Sequence, residues 1–399
     1  MKRLRSLFGG LVLAAAAGGT WAADIDVMTQ NQYLGADLAP VLGAATAEPF
    51  DPQAFSAAVV EALTRIARTR PAERAQALAA MIGERRPDVV GLQEAYAFGC
   101  LPYPGVPQQP GLGCDDPDIK AAFTDHLADT LAALRGEYRV VGRVTNLKVD
   151  ALPFVVKGVP ALLTLADRDA LLVHARHPAA AVDFSADPRC RVSDDGCVYF
   201  SAPPPFATPI GAIAIERGFV AADLSVKGVP YRVFNTHLEQ RLLAPGAFAT
   251  RLLQVGQAYE LLGIAAGTWD GLKKLIVIGD FNSDPADGID TPPYPPTLPG
   301  STLPTLTPWQ VFTRNGFADA WLLQPNAGPG ATCCQAEGLD NRASALYERI
   351  DHVFAWPRPA QVVDMRLLGA TQGDKTRPPG RAGLWPSDHA AVAARLKFD

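Results

Sequence analysis

Short apolar or alternating runs rich in β-branched residues recur at residues 25–31, 89–94, 138–144, 170–174, 210–215, 219–226, 231–237, 275–280, 349–354 and 390–396. A half-buried strand alternates its side chains between two faces, and a fully buried one is apolar throughout, so these segments predict β-strands. Between them the apolar spacing changes to three and four. Ala75, Leu78, Ala79 and Ile82 form one stripe, Phe123, Leu127, Leu131 and Leu134 a second, and Phe248, Leu252, Val255, Tyr259 and Leu262 a third. Stripes of this kind predict amphipathic helices. Strand and helix patterns mix throughout with no linker between compositional halves. One large α/β domain over residues 23–399, its sheets covered by helices, is the expectation.

Three stretches interrupt the pattern. Residues 98–117 and 178–209 read as loops, and 284–308 as a third, because TPPYPPTLPGSTLPTLTP has too much proline for a helix or a central strand. Long loops in a compact domain are functional lips or mobile segments, and the third follows the motif richest in polar chemistry.

At the amino terminus Lys2, Arg3 and Arg5 precede the apolar run from Leu11 to Ala17, and Thr20 and Ala22 are small residues placed for cleavage after Ala22. That is the pattern of a secretory signal over residues 1–22, too short to span a bilayer, so a periplasmic or secreted protein is expected. Export permits disulfides. Cys100 with Cys114, and Cys190 with Cys197, each bracket a loop and could staple it, while the adjacent Cys333 and Cys334 are either a vicinal disulfide or two free thiols. With no CxxC or clustered histidine beside them, zinc is disfavoured.

Of the 399 residues 48% are hydrophobic and 19% charged, which excludes a disordered chain and a multi-span membrane protein. The net charge of −5, about −8 after loss of the signal, demands no broad basic surface, so any phosphate chemistry must rest on a local site. Such a site is suggested by six motifs, each where an apolar strand ends in polar residues: MTQN (Asn31), PDVVGLQE (Glu94), FNTHLE (Asn235, His237), IVIGDFNSDP (Asp280, Asn282), ERIDHVF (Asp351) and WPSDHAAV (Asp388, His389). Burying such groups is costly unless they pair or bind a metal, and strand ends converge on a crevice.

The inventory matches metal-assisted hydrolysis of a phosphate ester. Asn31 and Glu94 supply hard oxygens for Mg²⁺, and few carboxylates with no Cys/His cluster argue against zinc. Asp280 and Asn282, at i and i+2, share one face, the acid to orient or deprotonate water and the amide to bind a phosphoryl oxygen. His237 and His389 titrate near neutrality and can donate to the phosphoryl group or shuttle protons. Asp351 on the other nitrogen of His389 would fix its tautomer and raise its basicity. Each motif alone has a structural explanation: GDFN is also a strand and an Asx-turn, SDH a cap, NTHLE a strand end with a core histidine. Together they do not.

The ordered set N…QE…NTHLE…GDFNS…RIDHVF…SDH resembles the endonuclease/exonuclease/phosphatase superfamily, the deoxyribonuclease-I-like metal phosphoesterases, from about Ile25 to Leu396. The resemblance implies a four-layered α/β sandwich, two mixed β-sheets packed face to face with helices outside and the site at one end. It implies that Asn31 and Glu94 hold Mg²⁺ or Mn²⁺ with Asp388 beside the metal, and that Asp280 and Asn282 act on water and phosphate. His237 would contact the phosphate or leaving-group side, and His389, oriented by Asp351, would be the base or a second phosphate contact. Two departures refine this. A histidine at 237, where intracellular DNA-repair members have tyrosine, is similar to the secreted nuclease and sphingomyelinase branches. Glu348-Arg349-Ile350-Asp351-His352 replaces the Trp-Cys-Asp-Arg signature of inositol-polyphosphate members. The stretch from Asn31 to Leu38 together with Cys333-Cys334-Gln335 resembles a bacterial secreted subgroup.

The expected activity is phosphodiester hydrolysis, with nucleic acid as substrate ahead of phospholipid and no stable protein partner evident. Arg241, Arg251 and Tyr33 are candidates for backbone contact and base stacking. A sphingomyelinase-type phospholipid phosphodiesterase is the alternative, with Tyr294 and Trp309 its few loop aromatics. A binding protein that kept the fold and lost the chemistry is the third reading. Asp169 is expected at a strand edge, Arg251 and Gln254 on a solvated helix face, and His352 in packing opposite Asp351.

Overall fold

The computed structural model describes residues 24–107, 109–208, 211–240, 247–287 and 306–399. The signal segment, Arg241, Tyr294 and most of the proline-rich stretch lie outside them. Along the chain run β1 (Asp24–Asn31), α1 (Ala39–Ala45), α2 (Pro52–Arg68), α3 (Pro71–Arg85), β2 (Val89–Gln93), β3 (Ala97–Pro102), α4 (His126–Ala133), β4 (Tyr138–Val156) and β5 (Val159–His174). There follow β6 (Ala179–Ala181), β7 (Arg191–Ser193), β8 (Gly196–Val198), β9 (Phe206–Thr208), β10 (Gly211–Ile213), β11 (Gly218–Val226), β12 (Val229–His237), α5 (Ala247–Gly267) and β13 (Lys274–Asp280). The chain ends with α6 (Pro308–Arg314), β14 (Ala318–Asp319), β15 (Asp351–Trp356), β16 (Gln361–Leu368) and β17 (Ala391–Lys397).

Two mixed sheets form. The first runs β16-β17-β1-β2-β5-β3, with β4 also on β5; the second runs β14-β15-β13-β12-β11-β8-β7, with β6 on β11. They pack face to face through Ile25, Val27, Leu171 and Val392 from the first and Val220, Val233, Ile276 and Val353 from the second, all buried. On the outer face of the first sheet Ala79 and Ile82 of α3 and Leu127 of α4 meet Val90 and Leu172. On that of the second, Leu261 and Ile264 of α5 and Phe312 of α6 meet Phe234 and Val277. The result is the four-layered α/β sandwich. Among the described residues no helix is long and apolar enough to cross a membrane.

The departures from the predicted elements have local causes. The segments expected to end at 144 and begin at 170 are one long hairpin, turned at Lys157 and Gly158 with positive φ, whose register shifts disturb the alternation that marks a strand. The stretches read as loops hold short strands: residues 97–102 pair with β5, and β6 to β9 lie within 178–209. Proline is tolerated there because these strands are short or at an edge. The α5 stripe is rotated from the predicted one: Leu252 and Tyr259 are exposed, and the helix instead buries Gln254, Gln257, Ala258 and Leu261. It is apolar on most sides, so periodicity selects no face. All six cysteines pair, Cys100 with Cys114, Cys190 with Cys197, and Cys333 with Cys334.

Candidate active site

Strand register builds the site. His237 on β12 is the partner of Asp280 on β13, and Asp280 of Asp351 on β15, so three polar side chains stand in one row at the end of the second sheet. Asn31 pairs with Gln93 in the first sheet, which brings Glu94, the next residue, to the same end. The SDH segment enters just before β17, next to β1. Asn235 does not join the site: its amide crosses between sheets, donating to the carbonyls of Leu92 (3.0 Å) and Ala170 (3.1 Å). Gly91 makes room for it, since a Cβ there would lie 2.3 Å from the Asn235 Oδ1.

The sequence-predicted residues converge. Asn31 Nδ2 donates to Glu94 Oε1 and to Asp280 Oδ2, both at 3.1 Å, while its Oδ1 accepts the Tyr33 N–H at 2.9 Å. Glu94 Oε2 accepts the Leu34 N–H at 3.0 Å. Asp280 Oδ2 also lies 3.5 Å from His237 Nε2 and 3.8 Å from His389 Nε2. Asp280 Oδ1 accepts the Asn282 N–H at 2.9 Å, and Asn282 Nδ2 donates to the Leu238 carbonyl. His389 Nδ1 is 2.8 Å from Asp351 Oδ2, an oriented imidazole–carboxylate pair. Glu94 and Asn282 both have positive φ (52° and 47°), which costs more for glutamate than for asparagine. Asp388, partly exposed, is reached through Ser387, whose hydroxyl donates to the Asn31 carbonyl at 2.7 Å.

Burial and charge divide the titrating groups. Burial pushes Asp280 up, Asp351 adds to this, and His389 and two N–H donors only partly offset it, leaving the carboxyl at about 7. Burial likewise lifts Asp388 to about 6, with the charge of Glu94 adding to it and His389 opposing. For His389 burial works downward, yet Asp351, Asp388 and Asp280 outweigh it and hold the imidazole well above 6.5. His237 moves the other way, pushed well down by burial, by Arg217 and by His389. The two histidines are thus pushed in opposite directions, His389 toward the imidazolium and His237 toward the neutral ring.

Four carboxyl groups, Glu94, Asp280, Asp351 and Asp388, gather around the His389 imidazole. Asp280, Asp351 and His389 also bring ligand atoms within 4.8 Å of one another. Glu94 and Asp388 are hard oxygen donors, and Asn31 becomes a third when its amide turns to present Oδ1 in place of Nδ2, so the set fits a divalent cation such as Mg²⁺ or Mn²⁺. The sulfurs of Cys333 and Cys334 lie as close to His389, but as a disulfide they supply no thiolate for zinc.

Several supporting residues carried no local signal. Arg74, on α3 and almost fully buried, donates to the carbonyls of Thr69, Gln32, Tyr33 and Pro386 and ties the loop after Asn31 to the loop before Asp388. Thr332 Oγ1 accepts the backbone N–H groups of Ile350 and Asp351, and Gln335 N donates to the Asp388 carbonyl. Gln254 is not on a solvated face; its Nε2 donates to the carbonyls of Glu239 and Asn282. Arg251 is buried beside Asp287, and Tyr33 is buried with its hydroxyl on the Glu337 carbonyl, so neither is laid out as a phosphate or base contact. Asp169 is fully buried against Asn146 rather than at an exposed edge. His352 packs against Phe281 and Phe354.

Two packed sheets that gather carboxylates and imidazoles at one end present the groups that phosphoester hydrolysis uses. Residues 65–389 match the model of the Endonuclease/Exonuclease/phosphatase family, and the chain belongs to that family. No curated protein matches it. Among solved structures it is similar to an endonuclease/exonuclease/phosphatase from Beutenbergia cavernae DSM 12333, at 21% identity over 94% of this chain and 72% of that one, with a TM-score of 0.49. It is also similar to a mannosyl-6-phosphatase of Bacteroides thetaiotaomicron VPI-5482, at 15% identity over 94% of this chain and 100% of that one, TM-score 0.48. A third is truncated TDP2 of Caenorhabditis elegans, at 14% identity over 94% of this chain and 97% of that one, TM-score 0.42.

Proposed function

We propose that the protein is an exported, divalent-metal-dependent phosphodiesterase acting on nucleic acid. The observation that carries the diester reading is the supply of positive charge. Among the described residues, Arg74 and Arg217 adjoin the cluster and are buried and engaged behind it, which leaves the His389 imidazole and a bound cation to face the substrate. That balance suits the single charge of a diester better than the double charge of a monoester.

Glu94, Asn31 and Asp388 would hold Mg²⁺ or Mn²⁺, which when bound neutralises charge on the phosphoryl oxygens. Asp280, at about 7, is basic enough to take the proton of the attacking water near neutral pH. As the new P–O bond forms and the ester bond breaks, the leaving oxygen takes a proton from His389, which Asp351 holds in place. His237 and Asn282 contact the phosphoryl oxygens. The three disulfides support export into an oxidising compartment.

The test compares Mg²⁺-dependent cleavage of plasmid DNA and of sphingomyelin liposomes by the protein and by Asp280→Asn, for which a loss of about a thousandfold is expected. DNA cleavage abolished by the substitution supports the proposal. Phosphocholine release with DNA intact moves the substrate to lipid, and near-normal turnover by the variant refutes the role given to Asp280.

A further inference from the structure

Two buried histidines share one arrangement and differ in how it ends. Arg349 Nη1 lies 3.1 Å from His352 Nδ1, and His352 Nε2 reaches the Ser283 carbonyl at 2.8 Å. Arg217 Nη1 lies 3.1 Å from His237 Nδ1, but among the described residues His237 Nε2 has no hydrogen-bond partner, although it is buried. A guanidinium only donates and stays charged, so the nitrogen it faces must present a lone pair. The imidazole is then neutral and its single proton sits on the other nitrogen. At His352 that proton is used by a backbone carbonyl. At His237 it points toward Asp280 Oδ2, 3.5 Å away, among the site carboxylates.

We infer that Arg217 is a positioning residue that fixes His237 as the Nε2–H tautomer, making it a neutral hydrogen-bond donor to the substrate phosphoryl group. The donation to the substrate rests on the phosphodiesterase reading; the tautomer does not. Arg217 is itself held in place, since its guanidinium lies 3.6 Å from Glu239 Oε1 and 3.9 Å from Asp167 Oδ2, both farther than the histidine. Only 8% of Arg217 is exposed, so solvent does not compete for the contact. A carboxylate in the same place would have produced the opposite result, a proton on Nδ1 and a raised, cationic imidazole. That is what Asp351 does at His389. The two site histidines are thus set to different tasks by the groups behind them, one to carry a positive charge and one to donate a proton it does not give up.

The test is long-range ¹H–¹⁵N correlation of the imidazoles in ¹⁵N-histidine-labelled protein at neutral pH, without metal or substrate, His237 being assigned by its loss in His237→Gln. The expected spectrum has a bare Nδ1 and a protonated Nε2 for His237, with His352 as an internal reference for the same pattern. In Arg217→Ala the pattern is lost to a tautomer mixture or a doubly protonated ring, and in Arg217→Lys, which keeps a cationic donor, it is retained. Hydrolysis of a chromogenic phosphodiester should fall roughly tenfold to a hundredfold in kcat for Arg217→Ala with little change in KM, because the lost donor acts on the reacting group. A proton on Nδ1 of the unmodified protein, or an unchanged tautomer in Arg217→Ala, overturns the inference. If Arg217→Ala does not fold, Arg217→Met, which fills the space without a donor, is read in its place by the same two outcomes. Absence of hydrolysis on every diester would overturn the phosphodiesterase reading and leave the tautomer result standing.

Discussion

Replacing Arg74 with methionine tests whether the site is held by a buried guanidinium. The side chain is 1% exposed and donates to four backbone carbonyls, at 3.2 Å to Thr69, 2.8 Å to Gln32, 3.2 Å to Pro386 and 3.0 Å to Tyr33. Hydrogen bonds from a charged donor contribute roughly 1.5–3 kcal/mol each, so four amount to about 6–12 kcal/mol before the guanidinium's lost hydration, several kcal/mol, is set against them. Burial pushes the group down to about 10 even with Asp388 and Glu94 pulling it up, in keeping with a substantial loss of hydration. A net destabilisation of about 3–5 kcal/mol is expected for Arg74→Met, whose length fills the space but leaves the carbonyls unpaired. Two of those carbonyls flank site residues: Gln32 follows Asn31, and Pro386 is two residues before Asp388. Urea unfolding should show the loss in stability, and titration with Mn²⁺ at neutral pH should show binding weakened by about tenfold or more, equivalent to about 1.4 kcal/mol. Arg74→Lys, with three donors on one nitrogen, should recover part of the stability but not the full span. Stability within about 1 kcal/mol of the unmodified protein, with unchanged Mn²⁺ binding, would refute the reasoning.

Other expectations follow from the same geometry. Asp351→Asn removes the carboxylate 2.8 Å from His389, so kcat/KM should fall by roughly a hundredfold or more and the alkaline limb of its pH profile should move to lower pH, a result that pH–rate measurements check directly. His352 has its imidazole pushed from 6.5 down to about 4, chiefly by burial and then by Arg349. The unfolded chain therefore takes up the proton first, and a contribution of roughly 3 kcal/mol present above 6.5 is lost as the pH falls toward 4; unfolding curves across that window should be flatter for His352→Gln. A chelator should lower the apparent melting temperature and Mn²⁺ restore it, by the equivalent of about 2.7 kcal/mol at a hundredfold excess over Kd. No thermal response to either would contradict the cation site proposed for Glu94, Asn31 and Asp388.

Much of this was legible along the chain because function sits where a strand pattern stops. Asn31, Glu94, His237, Asp280 and Asp351 each end or begin a run of apolar residues, and register then brings them to one edge. A slip of one residue would turn His237 or Asp280 to the opposite face, so the strands that carry the core also fix the chemistry. The residues that hold the site were not legible in the same way. Arg74 lies in a helical stretch, PAERAQ, whose spacing reports an apolar stripe and says nothing of a buried arginine among backbone carbonyls from three other segments. Gln254 reads as part of a solvated face of α5 but, with Gln257, lies on its buried side, because the two satisfy loop carbonyls that no local pattern reveals.

The roles of the two histidines illustrate the same limit in chemical form. NTHLE and SDH offer one imidazole each, and both titrate near neutrality in isolation, so nothing local separates a donor from an acid. The separation comes from the far nitrogen of each ring, which meets Arg217, twenty residues from His237, and Asp351, thirty-eight residues from His389. Arg217 enters just ahead of β11, which pairs with β12 so that Gly218 stands opposite His237. Asp351 enters on β15, beside Asp280. What stands behind each imidazole, a guanidinium or a carboxylate, is therefore written into strand pairing and not into either motif. Exchanging the groups behind the two rings should exchange their protonation, read by imidazole ¹H–¹⁵N correlation, while leaving both side chains at the same end of the sheets.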